Sequence, residues 1–159
     1  MGRSRGGFGT KVHLVCDSSG TLLAIQVGPG QEHDSRALEP VMLRARRPRH
    51  DGRPRWPGAA AGDKGYSYPR VRNWLCRRHI GSVIPSRKNQ PLDPNFDKRT
   101  YRKRNIIERV VGWFKECRAL GTRYDKLAVN YVALWMVANI HHLLRKQLRF
   151  LKSEFSETT

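Results

Sequence analysis

Lys11-Val12-His13-Leu14-Val15-Cys16-Asp17-Ser18-Ser19-Gly20-Thr21-Leu22-Leu23-Ala24-Ile25-Gln26-Val27 decides the class of fold. Its two ends are β-rich runs of alternating character, and Asp17-Ser18-Ser19-Gly20 between them is turn chemistry, so the stretch predicts an antiparallel hairpin. Gly28-Pro29-Gly30 ends the hairpin. Downstream, Asp34 and Ser35 are good caps for a helix through about Arg46, with Ala37, Leu38, Val41 and Met42 on its inner side. After the Pro/Arg-rich link from Arg47 to Pro57, the small residues Gly58-Ala59-Ala60-Ala61-Gly62 suit a short, closely covered strand that delivers Asp63 at its end. A helix from Ser67 to His79 with Pro69 in its first turn and a short strand from Gly81 to Ile84 follow. Residues 85–100 read as an exposed loop. Helices are expected from about Tyr101 to Leu120 and from Asp125 to near Leu148, with a frayed tail from Ser153 to Thr159. A hairpin followed by alternating helices and strands implies an α/β fold with a mixed sheet flanked by helices.

At 159 residues the chain is long enough for one domain with one core. Lys and Arg total 31 against 13 Asp and Glu, a net charge of +18. The basic residues recur from Arg3 to Lys152, a field that favours a polyanion, and nucleic acid suits it better than a membrane surface. Cys16, Cys76 and Cys117 are odd in number and far apart, with no C-x-x-C pair, so they read as reduced thiols, two of them on apolar helical faces. Leu127 to Leu144 carries no charged residue, but Asn130, Asn139, His141 and His142 interrupt it, so a buried core helix is expected rather than a membrane span.

Tyr101-x-x-Arg104-x-x-x-Glu108-x-x-x-x-x-x-Lys115 strings four chemically distinct groups along one predicted helix. At about 100° per residue, with Tyr101 at zero, Arg104 falls near about −60°, Glu108 near about −20° and Lys115 near about −40°. The four share a narrow stripe, opposite Ile106, Val110, Trp113, Phe114 and Cys117. A solvated face whose Arg104 and Glu108 make an i,i+4 pair accounts for the same spacing. Carboxylates are few in so basic a chain, and Asp63 stands where open α/β sheets gather ligands, at a strand's carboxyl end. It equally suits a cap of the following helix or a pair with Lys64. Asp63 and Glu108 supply hard oxygens for Mg²⁺, and Arg104 and Lys115 supply cations for phosphate, the groups that phosphoryl transfer needs. His33-Asp34 reads as a loop followed by a helix cap, Tyr124-Asp125 as a cap with a packing aromatic. His141 and His142 point about 100° apart and cannot share one ion.

Gly2-Arg-Ser-Arg-Gly-Gly7 leading into Thr10-Lys11-Val12-His13-Leu14, then Pro29-Gly30-Gln31-x-His33-Asp34-Ser35, Asp63-Lys64-Gly65-Tyr66, Tyr101-x-x-Arg104-x-x-x-Glu108 with Lys115, and Thr122-Arg123-Tyr124-Asp125-Lys126-Leu127 resemble, in order, successive blocks of bacterial insertion-sequence transposases of the DDE class. The resemblance runs from Gly2 to about Arg145. It implies an RNase H-like core over residues 1–150 with a flexible tail at 151–159, in a cytoplasmic, nucleoid-associated protein. Two Asp and one Glu of that core bind two Mg²⁺ or Mn²⁺ ions that direct in-line attack on phosphodiesters, giving DNA cleavage and strand transfer. By the same resemblance Asp63 matches the second metal-binding Asp and Glu108 the Glu, while Tyr101, Arg104 and Lys115 match accessory positions that contact DNA or brace the carboxylate. The family's first Asp lies upstream of the Gly-Arg-Ser block, at which this chain begins, and Asp17 is better explained as a turn residue. The expectation is therefore an incomplete fold whose first core strand is missing. By the same resemblance the chain is expected to be the C-terminal portion or the downstream reading frame of a frameshifted transposase, or a remnant, inactive alone. The implied partners are transposon-end and target DNA, the upstream part of the transposase and a second copy. A basic DNA-binding protein or transposition regulator without enzymatic activity is the alternative.

Overall fold

The computed structural model describes residues 2–4, 7–48, 54–122 and 125–156. The chain divides into two compact units, Met1–Arg109 and Val110–Thr159.

In the first unit, β1 (Gly2–Ser4), β2 (Gly7–Cys16) and β3 (Leu22–Pro29) form an antiparallel sheet in that order. β2 and β3 pair from Thr10↔Pro29 to Cys16↔Leu22. The turn between them is built by Asp17, whose Oδ1 accepts from Ser19 N, Ser19 Oγ and Thr21 N at 2.7–2.9 Å. Gly20 takes the left-handed conformation there (φ 79°), the role for which glycine is suited. This is local turn chemistry, as expected of Asp17. Helix α1 (Asp34–Ala45) buries Ala37, Leu38, Val41 and Met42. Its cap is the His33 imidazole, which accepts from Ser35 N, and not Asp34 or Ser35. Strands β4 (Arg47–Pro48) and β5 (Pro54–Arg55) pair with each other. Strand β6 (Ala59–Ala61) pairs in parallel with β7 (Gly81–Val83), and α2 (Pro69–Cys76) lies between them in sequence. That helix starts two residues later and ends three earlier than the sequence suggests, with Tyr68 at its N-cap. Leu38, Met42, Val71, Trp74, Leu75, Ile80 and Ile84 form one buried hydrophobic cluster of this unit.

The strands form separate small sheets rather than one mixed sheet. Among the described residues, no strand pairs with the edge of β2 opposite β3 along Lys11–Cys16, or with the edge of β6 opposite β7. Leu14 and Val15 of β2 and Ala59, Ala60 and Ala61 of β6 line a common groove, with Leu38 and Met42 of α1 beneath. It continues past Val15 and Met42 into a cavity of about 400 Å³ beside Asp17, Trp56 and Pro57. His13 meets Tyr66 at one end and Val15 and Asp17 share the other with Trp56, so β2 runs antiparallel to β6.

The stretch expected as one helix from Tyr101 to Leu120 is three: α3 (Lys98–Arg102), α4 (Asn105–Glu116) and α5 (Arg118–Gly121). The first junction is passed in tightened i→i+3 bonds, Arg104 N to Tyr101 O, Ile106 N to Lys103 O and Ile107 N to Arg104 O. The second falls at Cys117, whose extended backbone (φ −71°, ψ 102°) ends α4.

In the second unit, Phe114 is fully buried and packs on Trp135 with ring centroids 5.0 Å apart. Tyr131 donates its hydroxyl to Leu120 O at 2.8 Å. Helix α6 (Ala128–Ser156) continues past the expected end near Leu148. It is one-sided and not a fully buried core helix: Tyr131, Trp135 and Ala138 are buried, whereas Val129, Val137, Ile140 and Leu144 are exposed. Cys76 and Cys117 are likewise exposed instead of packed on apolar faces. Arg123 and Tyr124 lie outside the described residues. No described helix is long and apolar enough to cross a membrane.

Candidate functional site

Asp63 leaves β6 and caps a single 3-10 turn, Lys64–Tyr66, its Oδ1 accepting from Gly65 N at 2.8 Å. It caps this turn and not the following helix. A Cβ on Gly65 would stand 2.8 Å from that oxygen and 2.6 Å from Oδ2 of Asp34. The two carboxylates therefore converge on Gly65, which explains why the turn carries no side chain there. Asp34 is neutralised from the other side by Lys11 Nζ at 2.8 Å, and that ammonium also donates to Glu32 O at 2.9 Å. Lys11 and His13 are two residues apart on β2, hence on the same face. His13, buried, shares a 2.7 Å hydrogen bond between its Nδ1 and the Tyr66 hydroxyl. Burial pushes the imidazole pKa below its ordinary value, opposed by Asp34 and assisted by Lys11. Burial, then the charges of Asp34 and Asp63, push the Tyr66 phenol up.

A second group gathers at the α3–α4 junction. Arg104 NH2 donates to Glu108 Oε1 at 2.5 Å, and its guanidinium carbon lies 5.6 Å from the Tyr101 ring centroid. The i,i+4 pair is thus present, with Glu108 exposed and Tyr101 at the edge of the pair. Lys115 is in the last turn of α4, in the second unit.

A family model described as the transposase DDE domain matches residues 2–143. The chain belongs to the transposase DDE domain family. No curated protein and no solved structure matches the chain. Membership places its mixed α/β architecture in the RNase H-like class and implies a part in DNA transposition.

DDE transposases typically use divalent metal ions. Asp63 and Glu108 are exposed carboxylates, the hard oxygen donors that Mg²⁺ and Mn²⁺ take, and so fit such an ion in chemistry. Among the described residues, however, no three His, Cys, Asp or Glu side chains converge as a metal site. What sequence reasoning missed is the shell around Asp63: Lys11, His13, Asp34 and Tyr66. The signal was in the blocks that carry the family resemblance, since Lys11 and His13 sit in one, His33 and Asp34 in the next, and Tyr66 beside Asp63 in a third.

Proposed function

We propose that this DDE transposase domain contributes Asp63 and Glu108 to a site for metal-dependent DNA cleavage and strand transfer at transposon ends. The third carboxylate would arrive on an extended strand seated between β2 and β6. The observation that carries this reading is the groove itself. Two strand edges that no described strand pairs with, antiparallel to each other, flank an apolar floor beside the Asp63 end of β6. A strand laid parallel to β6 completes both hydrogen-bond ladders and brings its own carboxyl end to Asp63. An Asp at that end meets Asp63, which is why an apolar strand ending in an acid is the fitting occupant.

The ions, Mg²⁺ or Mn²⁺, would be held by Asp63, Glu108 and that third carboxylate, and would activate the attacking oxygen and stabilise the phosphorane charge. The chain's own part is to hold the acids and the DNA. Arg104 orients Glu108 through their ion pair, and Tyr101 offers a ring to the strand near the cut. The net charge of +18 supports binding to transposon-end and target DNA. Joining two transposon ends calls for a second copy. Residues 1–150 make up the catalytic portion in this reading, and residues 151–159 its tail.

The test is a cleavage and joining assay with Mg²⁺, run on the 159-residue chain alone and together with a polypeptide carrying the strand. Binding without strand transfer is expected from the chain alone, and strand transfer from the pair. In the pair, Asp63→Asn or Glu108→Gln should abolish cleavage while sparing DNA binding. Strand transfer by the chain alone, or by either carboxylate variant of the pair, overturns the assignment. The absence of a three-carboxylate cluster among the described residues favours a second reading, a basic DNA-binding regulator. It predicts binding that Mg²⁺ leaves unchanged and no activity under any pairing.

A further inference from the structure

Arg87 stands in the loop between β7 and α3, where the sequence suggests only an exposed linker, and its guanidinium is spent on the Asp63 turn. Its Nε donates to Lys64 O at 3.0 Å, its NH2 to Gly65 O at 3.3 Å and its NH1 to the Tyr68 hydroxyl at 2.7 Å. The guanidinium carbon also lies 4.2 Å from the Tyr68 ring centroid.

The two carbonyls it grips belong to the peptide units that hold Asp63. Lys64 O and Gly65 N are the ends of one planar peptide, and Gly65 N donates to Asp63 Oδ1 at 2.8 Å. Gly65 O and Tyr66 N are the ends of the next, and Tyr66 N donates to Asp63 O at 3.1 Å. Because a peptide is rigid, fixing its oxygen fixes the direction of its N–H. Arg87 therefore sets from outside the two N–H groups that set the Asp63 carboxylate and main chain from inside. A turn of three residues with glycine at its centre has little stiffness of its own.

The grip is itself anchored. Arg87 N donates to Gln90 Oε1 at 3.2 Å, and Gln90 Nε2 donates to Ser67 O at 2.9 Å, so the loop is tied to the residue that follows the turn. On its other side the Tyr68 hydroxyl meets His33 Nε2 at 2.6 Å, and His33 caps the helix whose first residue is Asp34. The guanidinium is thus tied to the Asp63 turn and, through Tyr68 and His33, to the start of α1.

We infer that Arg87 is a positioning residue for the Asp63 carboxylate, acting through the Lys64–Gly65 and Gly65–Tyr66 peptides. The inference rests on the reading of Asp63 as a metal ligand. Lysine cannot replace it, because a single ammonium cannot reach two carbonyls and a phenol in a fixed fork.

The test is a Mn²⁺ titration of the isotopically labelled 159-residue chain, followed by paramagnetic broadening of the Gly65 amide. Selective broadening is expected in the parent chain and its loss in Asp63→Asn. Arg87→Lys should raise the Mn²⁺ concentration at half-broadening about tenfold, the scale on which groups that orient a ligand act. Tyr68→Phe, which keeps the ring and removes the shared hydroxyl, should shift it less, in the same direction. An unchanged midpoint in Arg87→Lys, with hairpin amides at their parent positions, overturns the inference and leaves the reading of Asp63 standing. If Arg87→Lys does not fold, an unchanged midpoint in Tyr68→Phe does the same. Broadening that survives in Asp63→Asn removes the reading of Asp63, and the inference with it.

Discussion

His13 Nδ1 and the Tyr66 hydroxyl, 53 residues apart in sequence, lie 2.7 Å from each other and tie β2 to the turn that carries Asp63. Burial lowers the His13 pKa from 6.5, so the ring is neutral in the folded chain at neutral pH. The sign of the pH dependence follows. Below 6.5 the unfolded chain binds a proton that the folded chain refuses, so stability is full above 6.5 and is lost as pH falls towards the lower folded value. His142 is also lowered, by burial and then by Lys146, Arg145 and Arg149, and adds to the same slope. The expected outcome is a ring titration of His13 with a midpoint below 6.5 by NMR, and a shallower acid loss of thermal stability in His13→Gln. A midpoint above 6.5 would place the imidazole in a different environment.

Gly65→Ala tests the convergence of the two carboxylates. The added methyl would meet Asp34 Oδ2 at 2.6 Å and Asp63 Oδ1 at 2.8 Å, and both acids are held, one by Lys11 and one by Gly65 N itself. One carboxylate must swing away, breaking the ion pair or the cap. The cost expected by denaturant unfolding is about 1–3 kcal/mol, the usual range for forcing a methyl into filled space. A change below about 0.5 kcal/mol would mean that the turn opens freely.

The hairpin was legible because strand alternation and an Asp-Ser-Ser-Gly turn are both local signals, and Asp63 was placed at a strand end by the small residues before it. The break between Arg102 and Asn105 was not legible. Helical periodicity counts angle, and a run of i→i+3 bonds changes that angle without altering which residues are apolar. The cap of α1 was misassigned for a chemical reason: imidazole nitrogen can accept from an N–H as a carboxylate does, yet His is outside the usual capping set. Arg87 was hidden because two of its three hydrogen-bond acceptors are carbonyls, which every residue has. The separate sheets are a tertiary result that no strand's own sequence records.

Phe114 is the natural probe of the second unit. It is fully buried, with Trp113 at 5.0 Å on one side and Trp135 at 5.0 Å on the other, centroid to centroid. Phe114→Ala removes a whole ring from packed aromatics and should cost about 3–5 kcal/mol. Loss of near-ultraviolet circular dichroism from the two tryptophans should accompany the fall in unfolding midpoint. Unaltered tryptophan signals would show that Phe114 does not order them.

Arg104→Ala separates a stabilising from a functional role for the Arg104–Glu108 pair. Glu108 is largely exposed, and exposed pairs contribute about 0–1 kcal/mol, so the thermal midpoint should scarcely move. DNA affinity should behave differently. If Arg104 neutralises one phosphate, log affinity against log salt should lose about 0.9 from its slope on duplex DNA, and the loss of affinity should shrink as salt rises. Glu108→Gln, which frees the guanidinium without deleting it, should leave that slope unchanged or steepen it. Equal slopes in Arg104→Ala and the parent chain would confine Arg104 to bracing Glu108. Its effect would then appear only in cleavage, where a misoriented carboxylate is felt.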